Sequence, residues 1–334
     1  MSDRVLMHSH PDTVLFHGEK PFPVIAACEH YAGSQKFIRK AFELQNRLGP
    51  VFDINCDCED GAAPGNEHAH AAMIVGELQS DQNAHARAGV RIHDVTHPAW
   101  RDEVDLLVEG VGERLAFISL PKANCVDDIA AMLDYIEKKS ERAELTRAIP
   151  LHVIVETPGA LRDVMQIAAL PGLQAIAFGQ LDFISGHHGA IPMSAMHSPG
   201  QFEHVLIRRA KAEIVEAALT NGLVPTHSLT LDLSDTKRVY SDAYTARNQF
   251  GFLRMWSIYP AQIEPIIEAM RPDFSEVQIA AAVLLEAQQA QWAPIRHQGK
   301  LQEAATYRYH WELLKRAKVT GVEVPAQALA AFFG

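Results

Sequence analysis

Between residues 23 and 270, short β-branched apolar runs alternate eight times with longer segments of helical period. The apolar runs cover 23–28, 51–58, 89–93, 115–120, 151–155, 175–178, 223–228 and 253–258. The helical segments cover 34–47, 66–78, 98–108, 126–138, 160–168, 199–221, 234–250 and 261–270. Runs that are apolar throughout suit strands covered on both faces, as in a parallel sheet. Eight strand–helix pairs in about 250 residues match the repeat of an α/β chain closed as a (β/α)8 TIM barrel. An open doubly wound sheet would need its G-x-G-x-x-G turn after the first strand, and the chain has none there. After Pro272 the pattern changes to two helical stretches, 275–292 and 303–318, joined by a short polar stretch at 294–300 with no strand. The expected organisation is a barrel over 1–271, its first ~20 residues a leader, and a C-terminal helical extension over 272–334 that serves as a lid or subunit contact.

Composition narrows the partners. Acidic residues outnumber basic ones, 41 to 30, for a net charge of −11. A phosphate backbone attracts a basic surface, so no nucleic-acid partner is expected, though a local basic pocket could still take one anionic ligand. No apolar run reaches the roughly 18 residues a membrane span needs. The N-terminus has no apolar signal core, so a cytoplasmic protein is expected. Cys28, Cys56, Cys58 and Cys125 form no zinc-type spacing and read as reduced thiols.

In a barrel of this type chemistry gathers at the C-terminal strand ends. Here those ends read Asp57-Cys58-Glu59-Asp60-Gly61, Arg91-Ile92-His93-Asp94, Pro121-Lys122, Glu156-Thr157-Pro158 and Phe178-Gly179-Gln180-Leu181-Asp182. Glu156 and Asp182 close consecutive strands, so their carboxylates should converge. Two carboxylates, completed by waters and substrate oxygens, are a usual way to hold Mg²⁺. Arg91 and Lys122 would balance the charge and grip a substrate carboxylate. Glu59 and Asp60 are adjacent, so in an extended chain one faces the site and the other turns away.

The 17 histidines suggest less than they seem to. His8 and His10 fall in the leader. His68 and His70, two apart on a helix, do not share a face. His187 and His188 follow Asp182 and read as loop residues, whereas His30 and His93 are better placed for the site. A serine hydrolase is unsupported, because G-x-S-x-G is missing.

These strand ends resemble, in order and spacing, the signature motifs of the HpcH/HpaI aldolase superfamily, on its citrate lyase beta-subunit and malyl-CoA lyase-like branch. Asp57-Cys-Glu-Asp-Gly-Ala-Ala-Pro64 is similar to D-L-E-D-[AS]-V-[AS]-P, and Arg91-Ile-His to R-V-N. Leu120-Pro-Lys122 is similar to L-P-K, Glu156-Thr-Pro158 to E-T-[AP], and Phe178-Gly-Gln-Leu-Asp182 to F-G-x-x-D. In the tail, Gly299-Lys-Leu-Gln-Glu303 resembles G-x-M-I-D. The chain departs from the pattern in three places. Glu303, one methylene longer, stands where the family has aspartate. His93 replaces an asparagine. The first strand lacks the arginine of R-S-x-L-F-x-P.

The resemblance implies a TIM barrel whose C-terminal extension packs on a neighbouring subunit, in a homo-oligomer of three or six. It implies Mg²⁺ on Glu156 and Asp182, Arg91 on a substrate carboxylate or carbonyl, and Glu303 as acid/base at a neighbouring site. The implied activity is a Mg²⁺-dependent carbon–carbon lyase of the citrate lyase beta type. It would cleave a short hydroxyacyl thioester (citryl-, malyl- or citramalyl-CoA) by a retro-aldol or retro-Claisen step, with Glu59 and Asp60 among the catalytic groups and coenzyme A as the carrier. A class II aldolase acting on free 4-hydroxy-2-oxo acids, and a metal-binding assembly component without turnover, are the alternatives.

Overall fold

A computed structural model describes residues 10–17 and 21–334. The chain divides into two compact units, one of Ala26–Met270 and one of the segments before Ala26 and after Met270.

The first unit is a closed barrel of eight parallel strands in sequence order, β1 hydrogen-bonded to both β2 and β8. The strands are β1 Cys28–Ala32, β2 Asp53–Asp57, β3 Ala88–Arg91, β4 Ile118–Leu120, β5 Leu151–Val155, β6 Leu173–Phe178, β7 Val224–His227 and β8 Arg254–Ser257. Outward strand residues such as Ile54, Val90, Val153 and Ile176 pack beneath the helices in one continuous core. Helix ends follow local chemistry. Ser34 Oγ accepts from the Phe37 amide to start Gln35–Leu48. Asp235 caps Thr236–Phe250, which stops at Gly251 in the left-handed region, φ 84°.

Three expectations are corrected here. The first strand lies at 28–32 rather than 23–28, so the two meet only at Cys28. Pro21 and Pro23 cannot donate to a ladder, and the strand instead carries Glu29 and Tyr31 into the barrel. The helical segment 199–221 is broken at His204, whose ψ of 125° is extended, into Gly200–Glu203 and Val205–Thr220. The segment 160–168 begins earlier, at Pro158, and is interrupted at Asp163.

The second unit holds the helices Phe274–Gln289, Ala304–Val319 and Ala326–Phe332. The stretch expected to be strandless is an antiparallel hairpin, Ile295–His297 with Lys300–Gln302. Its turn residues Gln298 and Gly299 both have positive φ, 47° and 80°. This is the backbone that joins two twisted strands by a two-residue loop, and glycine at its second position permits it. The helix Pro11–Phe16 belongs to the same unit. There His10 Nε2 donates to Phe332 O at 3.0 Å and Trp311 Nε1 to Asp12 Oδ1 at 2.6 Å. His10, read as part of a loose leader, is thus anchored, and His8 lies outside the described residues. Among the described residues no helix is long and apolar enough to cross a membrane.

Candidate active site

The C-terminal strand ends of the barrel surround a cavity of about 680 Å³. Arg91, the last residue of β3, points into it and is 8% exposed. Asp57, the last residue of β2, holds Arg91 in a fork: Nε to Oδ1 at 2.8 Å and Nη2 to Oδ2 at 2.6 Å. Asp57 is fixed in turn by the amides of Glu59 at 3.1 Å and Gly61 at 2.8 Å. Burial alone would raise the Asp57 carboxyl, but the charge and hydrogen bonds of Arg91 outweigh it and hold the group below its usual range. A bidentate pair locks the guanidinium plane as a lysine could not. The outer face of Arg91 lies over the Tyr31 ring, 5.1 Å from its centroid.

Glu59 and Asp60 both reach the opposite cations. Glu59 Oε2 is 2.9 Å from Arg91 Nη1, and its Oε1 is 2.6 Å from Lys122 Nζ. Asp60 Oδ1 accepts from Lys122 Nζ at 2.8 Å. Of the two only Asp60 lines the cavity, as expected of one of them, but both carboxylates meet at Lys122 Nζ rather than pointing apart. Alternation holds only within an extended strand; β2 ends at Asp57, and the chain then turns, with Ala62 N bonded to Glu59 O. Lys122 itself sits at φ 50°, an uncommon conformation for a side-chain-bearing residue. That backbone aims its amide at Glu156 Oε1, 2.7 Å away. Lys122 is thus held by Glu59 and Asp60 rather than left free for substrate.

Glu156 follows β5 and Asp182 lies in the first turn of Gln180–Ser185; both line the cavity. Glu156 is 2% exposed. Burial pushes its carboxyl up to about 8, and the neighbouring Asp182 charge adds to the shift. Burial also raises Asp182. Gly179 makes room for this geometry, since a Cβ there would overlap Glu156 Oε2. Two oxygen donors whose proton affinity is raised by burial and by neighbouring carboxylate charge, that of Asp182 on Glu156 and that of Asp60 on Asp182, fit a hard divalent cation, because the cation offsets that repulsion. Among the described residues no three His, Cys, Asp or Glu side chains gather as a ready-made metal cage.

The remaining wall mixes polar residues such as Gln180 and Ser228 with an apolar patch. Tyr31, Leu229 and Trp256 line it, backed by Ile154 and Ala177. Neither Tyr31 nor Trp256 is marked by any motif; only the inward alternation of β1 and β8 could have found them. The same alternation fills the barrel beneath with polar groups absent from the sequence reading. Arg254 lies 3.3 Å from Glu29 and is paired with Asp53, while Asn55 donates to Glu29 at 2.6 Å.

The histidines divide. His30 lines the cavity, but its Nδ1 is committed to Ser257 Oγ at 2.9 Å, and burial lowers it to about 4. His93 meets Glu103 at 2.6 Å. Burial opposes its proton, but the hydrogen bond and charge of Glu103 outweigh this and raise it. His68 bonds Asp102, whereas His70 reaches Asp57 O, so they face apart as expected. His187 donates to Phe183 O and lines a different cavity on the barrel flank. The four cysteines are unpaired. Glu303 belongs to the second unit, where it caps Ala304–Val319, its amide donating to Thr306 Oγ1 at 2.9 Å.

The profile of the HpcH/HpaI aldolase/citrate lyase family matches residues 54–258. An L-malyl-CoA/beta-methylmalyl-CoA lyase of Cereibacter sphaeroides is 30% identical over 246 residues, covering 69% of this chain and 75% of that protein. A crystal structure of a citrate lyase from Burkholderia xenovorans LB400 is 46% identical, covers 97% of this chain and 99% of its own, and superposes with a TM-score of 0.84. Protein CitE of Mycobacterium tuberculosis, solved with magnesium, acetoacetate and coenzyme A, shares the fold at 18% identity, covering 88% of this chain and 98% of its own with a TM-score of 0.66. The chain belongs to the HpcH/HpaI aldolase/citrate lyase family of carbon–carbon lyases.

Proposed function

We propose that the protein is a Mg²⁺-dependent lyase that cleaves a short hydroxyacyl-CoA thioester into a 2-oxo acid and an acyl-CoA. The observation that carries this reading is the buried pair Glu156 and Asp182 facing the Asp57-locked guanidinium of Arg91 in one cavity. The malyl-CoA lyase relatives support the thioester carrier.

Glu156 and Asp182 would hold the cation. Bound there, Mg²⁺ supplies Lewis-acid polarisation of the oxo-acid oxygens. Arg91 presents fixed positive charge where negative charge develops, at no cost of reorganisation during the reaction. In the cleavage step the substrate hydroxyl loses its proton to a base and its oxygen becomes the new carbonyl. The carbon–carbon bond breaks, and its electron pair passes to the thioester fragment as an enolate, which a proton then quenches to give the acyl-CoA. Glu59 and Asp60 act as positioning groups, since both are engaged with Arg91 or Lys122. We assign the base to Glu303, acting at a neighbouring copy's site in a cytoplasmic homo-oligomer.

Glu156→Gln and Asp182→Asn should each lower Mg²⁺ affinity by at least ~10-fold in calorimetry and abolish cleavage, with the circular dichroism spectrum unchanged. Wild-type Mg²⁺ affinity in both variants would overturn the assignment.

A further inference from the structure

We infer that Tyr31 and Trp256 are catalytic residues: the phenol O–H of the one and the indole N–H of the other donate to the thioester oxygen as it takes up negative charge in the cleavage step. This inference rests on the lyase reading and adds to it the groups that stabilise the enolate.

Both side chains form the floor of the cavity. Tyr31 of β1 and Trp256 of β8 line it, and their rings lie 5.0 Å apart. Ile154, Ala177 and Leu229 pack around them. Tyr31 Oη and Trp256 Nε1 are buried, and neither has a hydrogen-bond partner among the described residues. A buried donor without an acceptor costs free energy, and a site whose ligand brings the acceptor is where such a donor has a use. Burial, reinforced by the charge of Glu29, pushes the Tyr31 phenol well above its usual range, so it keeps its proton and donates.

The cations of the site are already engaged. Asp57 takes the Nε and Nη2 edge of Arg91, and Glu59 takes Nη1. Lys122 Nζ lies between Glu59 at 2.6 Å and Asp60 at 2.8 Å. The Glu156–Asp182 pair, with its cation, would take the oxygens of the oxo-acid fragment. When the carbon–carbon bond breaks, its electron pair moves into the thioester fragment and the charge settles on the thioester oxygen. That oxygen needs donors of its own.

The polar groups beside the floor do not offer them. Gln180 Nε2 donates to Ala195 O at 3.1 Å, and the atom of that amide left without a partner, Oε1, is an acceptor that repels an oxyanion. Ser228 Oγ is held by the Gln180 backbone amide, 3.4 Å away, beside that acceptor. Tyr31 and Trp256 suit the task because they are neutral. They bring no counter-charge, and in a floor closed by apolar side chains a hydrogen bond to developing charge is strong. The Arg91 guanidinium, 5.1 Å from the Tyr31 ring centroid, polarises the phenol and makes it a better donor.

The test uses the full chain loaded with Mg²⁺, and acetyl-CoA isotopically labelled at its thioester carbonyl. Difference infrared spectroscopy should place the carbonyl stretch of bound acetyl-CoA at lower frequency in the wild type than in Tyr31→Phe. That substitution removes the hydroxyl and keeps the ring with its contacts to Trp256 and Arg91. In cleavage assays it should lower kcat by ~10²-fold, with KM changed by less than ~3-fold and Mg²⁺ affinity unchanged. Trp256→Phe, which removes the indole N–H and keeps an aromatic ring, should move both readouts in the same direction. A carbonyl frequency equal in the wild type and Tyr31→Phe would overturn the inference whatever the rate, and leave the lyase reading standing. A carbonyl shift that depends on Tyr31 in a chain that cleaves no thioester would keep the two donors and instead sink the lyase reading.

Discussion

Glu156 is the residue at which the proposed function and stability oppose each other. Its carboxyl is raised from 4.5 to about 8 in the folded chain. Between those values the native state keeps a proton that the unfolded chain releases. Without metal, this group's contribution to stability therefore declines as pH rises from 4.5 to about 8. Glu156→Gln removes the penalty and should stabilise the metal-free protein by roughly 1–3 kcal/mol at pH 8, read as a higher melting temperature. A lower melting temperature would show that the carboxylate is not strained. Asp57 has the opposite sign. Its folded value lies below the ordinary 3.8, so its contribution is complete above that pH and is lost as pH falls through the lower folded value. In Asp57→Asn the acid limb of the stability profile should flatten below about pH 4.

At the level of elements, the alternation of strands and helices was readable because each barrel strand is covered on both faces, which leaves an apolar run at almost every turn of the repeat. The site carboxylates were readable for the complementary reason: a charged residue directly after such a run, as at Glu156, has few purposes there. What escaped were features set by the backbone or by the inward face. β1 was misplaced because its inward residues, Glu29 and Tyr31, are polar, whereas the apolar residues precede it. The hairpin at 295–302 was hidden because its strands, three residues each, are too short for a period to show. The barrel's polar interior around Arg254 breaks the rule that charge marks a surface, since Glu29 and Asp53 neutralise it. Gly179 belongs to this scale too, since the strand-to-helix turn it forms leads into Asp182 and packs on Glu156, the proposed metal pair. Gly179→Ala should cost about 1–3 kcal/mol in stability and displace Glu156, weakening Mg²⁺ binding. Unchanged stability and affinity would mean that the turn has slack that the packing does not suggest.

At the scale of the whole molecule, a barrel unit with its site is joined to a helical unit that carries Glu303. If Glu303 serves as the base, Glu303→Gln should lower kcat by ~10²-fold or more while leaving Mg²⁺ affinity unchanged. An unchanged kcat would remove it from the mechanism and return the role to a group of the barrel. The account as a whole is tested most directly by offering the purified protein malyl-CoA, citramalyl-CoA, citryl-CoA and free 4-hydroxy-2-oxo acids, with and without Mg²⁺, and measuring the released 2-oxo acid. The account predicts Mg²⁺-dependent cleavage of a hydroxyacyl-CoA thioester, abolished by a chelator and by Glu156→Gln. Turnover of only the free acids, or full turnover in the presence of the chelator, would contradict it.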